Sequence, residues 1–223
     1  MYSTGQYRFA RRLKPRSGTI SLFLGRVFGG FAPRRGGVSE RFQREVHLRI
    51  RSARDGDWQA CLDVDLSYET ESAWQMTELR GEGEWGMRFR EVRLPRRQRM
   101  MPTLSPEVRL KGWERRDGFW VAVERRKVVG YLTLLLEPEH RQARIADLVV
   151  APEFRRQGIA SELLIEVTEW CQRRETDQLI LECALKAQPA ISFAQHHGFT
   201  FCGFQDAYWP GQETALFFRK RIR

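Results

Sequence analysis

Asp147-Leu148-Val149-Val150-Ala151-Pro152-Glu153-Phe154-Arg155-Arg156-Gln157-Gly158-Ile159-Ala160 is the stretch on which the fold of this chain turns. It starts as an apolar strand, bends at Pro152 and passes through Gly158 into a helix. Ile159, Leu163, Leu164, Val167, Trp170 and Cys171 then recur on one side of that helix as far as Arg174. The first N–H groups of a helix have no partner within it and carry partial positive charge, so such a junction suits phosphate oxygens. Gly158 lets backbone and phosphate approach closely, Ala160 keeps the next turn open, and Arg155 and Arg156 add positive charge. A glycine-capped turn with no ligand is the plainer alternative.

Working outward, residues 119–124, 128–137 and 143–150 read as three strands of an antiparallel meander, the first two joined by the short turn Arg125-Arg126-Lys127. The helix at 158–174 leads to a strand at 178–183, which makes a strand, crossover helix and parallel strand. A short helix starts at Pro189 and stops at Gly198, and strands at 199–204 and 214–220 close the chain. Upstream, a strand at 47–52 precedes a helix that Asp55 would cap and that runs to about residue 66. Residues 73–79 and 85–94 alternate as a hairpin around a glycine-rich turn, and the proline-containing 95–106 reads as a loop. The class is α/β (α+β), a mixed and mostly antiparallel sheet with flanking helices.

The junction resembles the (Gln/Arg)-x-x-Gly-x-(Gly/Ala) motif of the GNAT N-acetyltransferase superfamily, matched by Arg155, Gly158 and Ala160. A second match lies downstream, where Glu182, Ala190, Ile191, Phe193, Gly198 and Phe199 agree with the ribosomal-protein alanine acetyltransferase branch, as does Tyr208-Trp209-Pro210. Tyr68-Glu69-Thr70 through the hairpin, with Cys202-Gly203-Phe204 and Ala215-Leu216-Phe217-Phe218, is similar to the streptothricin-acetyltransferase-like branch. The resemblance implies a GNAT fold with a splayed strand pair holding acetyl-CoA and an acyltransferase activity toward amines. It implies that Leu148, Val149 and Val150 meet the pantetheine arm, and that Arg155, Arg156, Gln157, Gly158, Ile159, Ala160 and Ser161 hold the pyrophosphate. Attack needs a neutral amine, so a base is required, and an acid can reprotonate the departing thiolate. Glu182 is the candidate base, Asp147 a second candidate, and Tyr208 the candidate acid. The chain departs from the family at Ala194, where many members carry the acid tyrosine, and at Ala187, where they carry asparagine. Either the thiolate leaves unaided, which a thiol pKa of about 8.5 allows, or Tyr208 reaches in from another element. A site that binds acetyl-CoA without turnover is the remaining alternative.

Composition sets the frame for these motifs. The net charge of +10 is concentrated in residues 1–41, where nine basic side chains face Glu40 alone. Residues 1–44 are therefore expected to be a basic extension without a stable fold, and 45–223 the acetyltransferase domain with a hairpin insertion at about 72–95. For the extension, a solvated tail, a polyanion-binding arm and an interfacial segment stay open. Cys61, Cys171, Cys183 and Cys202 form no C-x-x-C pair, so no metal site or disulfide framework is signalled, and a reducing cytoplasm is expected. Trp74 and Trp85 are placed where an acceptor wall would form, though core packing is the commoner use of tryptophan. Asp63, Asp65, Glu69 and Glu71 give the first helical region an acidic edge that could attract a cationic amine. The acceptor is thus expected to be a small cationic molecule, with a protein N-terminus as the alternative. A homodimer is allowed, and nucleic acid binding through the basic extension is the less favoured role.

Overall fold

The computed structural model describes residues 48–223; the basic extension lies outside the described residues. The elements are β1 (Leu48–Ser52), α1 (Asp57–Leu62), β2 (Tyr68–Gly81), β3 (Glu84–Met100), α2 (Pro106–Leu110), β4 (Gly118–Glu124) and β5 (Lys127–Glu137). They continue with β6 (Gln142–Val150), α3 (Ile159–Gln172), β7 (Gln178–Ala184), α4 (Gln188–His196), β8 (Thr200–Trp209) and β9 (Glu213–Arg221). Seven strands form the main sheet in the order β1-β4-β5-β6-β7-β9-β8, and β2 and β3 pair as a separate ribbon. Within the main sheet β6 and β7 run parallel and every other pair is antiparallel, as the strand, helix, strand pattern requires.

Alternation along β4 and β5 sends side chains to both faces of the sheet, and each face is covered. Trp120, Leu132, Leu134 and Ile145 pack against Leu163, Val167 and Cys171 of α3. Val121 and Tyr131 pack on the other face against Cys61, Val64, Leu66 and Leu110, which belong to α1, the turn after it and α2.

The opening in the sheet has a local cause. β6 pairs with β5 as Ile145 with Leu134 and then Asp147 with Thr133, so Ala146 is an extra residue that bends the strand. The parallel ladder to β7 ends at once, with Ile145 opposite Leu181. β7 itself continues to pair with β9 as far as Ala184, so its other edge stays straight while β6 leaves it. Leu148, Val149 and Val150 therefore diverge from Glu182, Cys183 and Ala184, and the gap between them is the splay.

Four expectations need correction. α1 ends at Leu62 rather than near residue 66, and its N-cap is Gly56 in the left-handed region (φ 92) with no side-chain cap. Asp55 plays no part there, because the carboxylate next to that turn is Asp57, which accepts from Arg54 N (2.6 Å) and pairs with Arg51. Asp63, Asp65, Glu69 and Glu71 consequently follow α1 instead of lying on it. The hairpin is longer than its apolar alternation, and β3 runs through Pro95 to Met100. Pairing jumps from Ser72 opposite Arg93 to Thr70 opposite Gln98, which leaves Pro95 in a bulge where its missing N–H breaks no ladder.

Candidate active site

The splay opens into a cleft of about 1770 Å³, walled by β6 and the start of α3 on one side, by β7 and α4 on another, and by the base of the β2–β3 ribbon. At the α3 wall, Gly158 is the N-cap with φ 87, a conformation L side chains rarely adopt, and a Cβ there would meet nothing. Glycine is thus favoured by the backbone angle, and the space above it is open. Glu162 N donates to Gly158 O (3.0 Å), the first helical bond. The N–H groups of Ile159, Ala160 and Ser161 precede that bond and have no partner within the helix, which is the arrangement that favours an anion.

Two residues of the junction do something other than surround a phosphate. Arg155 Nε donates to Val150 O (2.8 Å) and its Nη2 to Asp65 O (3.5 Å). Its side chain ties the end of β6 to the turn after α1, and burial lowers its pKa. Gln157 turns back, its Nε2 donating to Glu153 O (3.0 Å), and it does not line the cleft. Arg156, Gly158, Ile159, Ala160 and Ser161 do line it, as do Leu148, Val149 and Val150. On β6 the carbonyl of Val150 faces away from β5, since the next residue, Ala151, gives its N–H to Val129 O on β5 (2.9 Å). Strand alternation puts the N–H and C=O of Leu148 on the same cleft-facing edge.

Glu182 sits on the open edge of β7 with its side chain 11% exposed. Arg144 Nη1 donates to its Oε1 (3.1 Å), and the Tyr208 hydroxyl donates to the same oxygen (3.0 Å). Arg144 Nη1 also donates to the Tyr208 oxygen (3.1 Å), closing a triangle of guanidinium, carboxylate and phenol. Tyr208 reaches this point through a bulge: Gln205 pairs with Ala215 and Trp209 with Glu213, so Asp206, Ala207 and Tyr208 together face Thr214. Ala207 takes a positive φ of 48 and Asp206 Oδ1 accepts from Thr214 Oγ1 (2.6 Å), which fixes the bend. Burial first, then the Glu182 charge, holds the Tyr208 phenol above its ordinary pKa, so it stays protonated at neutral pH. Ala194 is fully buried in the core, and Ala187 is the residue before α4. The phenol that bonds the β7 carboxylate therefore comes from β8 and not from α4, where Ala194 stands.

Asp147 does not suit the role of a base. Its side chain is 2% exposed, Thr133 Oγ1 donates to Oδ2 (2.6 Å), Arg109 Nη1 donates to Oδ1 (3.1 Å), and Arg116 lies 3.8 Å from Oδ2. Both oxygens are engaged, and the residue pins the α2 segment to the bulge of β6.

Several contributors were not apparent from sequence. Arg144, which holds Glu182 and Tyr208 together, is an arginine inside an apolar strand, and that anomaly was the available signal. His197 Nε2 lies 3.0 Å from Ser161 Oγ and its ring packs on Phe193 at 4.2 Å, coupling the two helices that flank the splay. The acidic edge is partly neutralised, since Arg99 pairs with Asp65 and Arg97 with Glu69, while Glu71 and Glu213 also line the cleft. Beside them the Tyr68 phenol is pushed up to about 12 by burial and by Glu213. Trp74 and Trp85 do not line the cleft. Trp74 Nε1 donates to Gln188 Oε1 (2.6 Å) and docks the ribbon on α4, and Trp85 stands 75% exposed near the ribbon's tip.

Comparison with known proteins agrees with this fold. The model of the acetyltransferase (GNAT) family matches residues 88–199. Streptothricin acetyltransferase of Streptomyces lavendulae is 28% identical over 167 residues, 73% of this chain and 86% of that protein. The crystal structure of nourseothricin acetyltransferase is similar with a TM-score of 0.68 at 25% identity, covering 79% of this chain and 99% of its own. A Bacillus anthracis str. Ames protein assigned as a streptothricin acetyltransferase, solved in complex with acetyl coenzyme A, shares the fold with a TM-score of 0.61 at 16% identity, covering 78% of this chain and 97% of its own. No helix among the described residues is long and apolar enough to cross a membrane.

Proposed function

The chain belongs to the acetyltransferase (GNAT) family, and from that premise we propose that it transfers the acetyl group of acetyl-CoA to a primary amine of a small cationic molecule. The observation that carries the proposal is the Glu182–Arg144–Tyr208 triangle at the mouth of the splay. Bound acetyl-CoA supplies an electrophilic thioester and a thiol leaving group. The chain's own residues do the rest. The N–H groups of Ile159, Ala160 and Ser161 and the cleft-facing backbone of Leu148 bind and orient that co-substrate, with Arg156 adding charge. Arg155 acts by holding the carbonyl of Val150 in place.

Glu182 is the base. Its Oε1 accepts two of the triangle's three hydrogen bonds, and Oε2 accepts none among the described residues, so Oε2 is free to take a proton from the acceptor ammonium or from a water beside it. Arg144 orients the carboxylate through its hydrogen bond to Oε1. Tyr208 is the acid: its phenol stays protonated and can give its proton to the departing thiolate, after which solvent restores it. Glu69, Glu71 and Glu213 on the opposite wall favour a cationic acceptor, and the likeness to streptothricin acetyltransferase supports one of that type.

The test is an amine screen with acetyl-CoA, followed through thiol release, offering a streptothricin, polyamines and a peptide with a free N-terminus. Glu182→Gln should lower kcat by roughly 10²–10⁴ while the calorimetric Kd for acetyl-CoA stays unchanged. Tyr208→Phe should cost less, on the order of tenfold, because a thiol with a pKa of about 8.5 leaves readily. Tight acetyl-CoA binding with no turnover on any amine would remove the catalytic reading, and turnover confined to the peptide would replace the small acceptor with a protein terminus.

A further inference from the structure

β1 is the edge strand of the main sheet at the end away from β8, and beside it lies a second concavity of about 410 Å³. Arg49, Arg51 and Arg54 line it together with Arg125 and Arg126 from the turn between β4 and β5. Like charges this close repel one another, and Arg51 alone is answered. Asp57 holds it with two hydrogen bonds of 2.5 and 2.9 Å. Among the described residues no carboxylate lies within ion-pair distance of Arg49, Arg54, Arg125 or Arg126.

The turn is a second, independent signal. Glu124 pairs with Lys127, so Arg125 and Arg126 form a two-residue hairpin loop, with φ of 46 and 72. Turns with positive φ at both positions favour Asn or Asp followed by Gly, because a Cβ is strained there. Both arginines are exposed and gain no packing in return. A residue choice that breaks a local rule without structural compensation points to a function.

The chemistry of the patch narrows its partner. The guanidinium fork matches phosphate bidentately and does so without reading sequence. A membrane surface would ask for apolar side chains beside the charges, and the large exposed apolar residues Leu79, Trp85, Met101, Val108, Ile165 and Phe201 are all elsewhere. The net charge of +10 on the chain favours a polyanionic partner over a neutral one. We propose that this arginine cluster binds the phosphodiester backbone of a nucleic acid, separately from the acetyltransferase cleft.

The experiment uses the full chain and fluorescence anisotropy, with labelled mixed-sequence oligonucleotides of about 20 nucleotides, single-stranded and duplex, between roughly 50 and 200 mM salt. The variant is Arg125→Asn with Arg126→Gly, which suits the turn and should leave Tm unchanged or higher. Affinity should fall on the order of tenfold or more, and the slope of log K against log salt should become shallower by about 2. The KM for acetyl-CoA should not move. Arg88→Gln with Arg90→Gln, an equal charge loss on the ribbon, should change affinity by less than about twofold. The proposal is overturned if the turn variant binds like the parent, if both double variants lose the same affinity, or if the parent binds no oligonucleotide. It is equally overturned if the turn variant raises the KM for acetyl-CoA, since Lys127 reaches Glu153 of the junction at 3.4 Å and the patch would then serve the co-substrate.

Discussion

On the α3 side of the cleft the groups that can face a ligand are mostly main-chain atoms, held by a 14-residue helix and by the bulge of β6. On the ribbon side they are side chains, Glu69, Glu71, Arg97 and Arg99, carried by a two-stranded sheet. That sheet reaches the body of the protein through Trp74, which bonds Gln188 and the carbonyl of Leu185, and through Phe89, which packs on Phe201 and Phe204. A backbone site tolerates changes of side chain as long as φ and ψ are kept, so it can serve one co-substrate across a whole family. A side-chain site on a separate ribbon can change its residues without disturbing the main sheet. The comparison predicts that the two walls answer mutation independently.

The larger effect is expected on the backbone wall. Gly158→Ala has room for its methyl group, so the cost comes from φ 87 alone. Forcing an L residue into that region costs about 1–2 kcal/mol, which should raise the acetyl-CoA KM on the order of tenfold, and Gly158→Glu should raise it further by setting a carboxylate against the phosphates. The acceptor KM should stay put in both. Equal movement of the two constants would show that the walls are coupled. The ribbon wall should give a smaller change of opposite sign. Arg97→Gln with Arg99→Gln releases Glu69 and Asp65 from exposed ion pairs, and such pairs are worth roughly 0.2–1 kcal/mol. The KM of a cationic acceptor should then fall by up to about fivefold at low ionic strength and return toward the parent value in high salt. A rise would mean that the arginines themselves contact the acceptor.

The same contrast explains what the sequence could disclose. The meander, the crossover helix and the glycine-capped junction between β6 and α3 were legible because period and glycine placement are set by backbone physics, and their bounds moved by only a few residues. Pro95 misled because its effect depends on whether it sits in a bulge, and that is decided by how Thr70 and Ser72 pair from the other strand. Asp55 misled because a cap can be supplied by left-handed Gly56, leaving the nearby Asp57 for Arg51. Glu182 was a candidate through its match to a family pattern, and the fold brings it to the Tyr208 hydroxyl. Asp147, directly before Leu148, Val149 and Val150 on the same strand, was judged by position, although its two oxygens are taken by Arg109 and Thr133, both distant in sequence. Arg144 escaped notice for the converse reason, since nothing local says that an arginine will meet Tyr208, which is 64 positions away. Long-range side-chain pairing is where a single sequence stops informing.

The smallest effect separates the walls by pH. His197 contacts Ser161 on the backbone wall, and its pKa is lowered by burial first, then by His196 and Lys220. A base whose folded pKa lies below its unfolded one binds its proton more readily when unfolded. The stabilisation from the neutral ring is therefore present above the unfolded value of about 6.5 and is lost as pH falls through the folded value. Asp57 and Asp177 are carboxylates whose pKa values are lowered chiefly by hydrogen bonds from Arg51 and Arg141, and their contribution is lost only at more acid pH. Melting temperature followed downward from neutrality should thus show a first, shallow decline that His197→Gln flattens, then a steeper one that it leaves alone. The Arg97→Gln, Arg99→Gln variant should keep the first decline intact. If His197→Gln leaves that decline unchanged, the packing between α3 and α4 does not depend on a neutral imidazole, and the contact with Ser161 is incidental to the backbone wall.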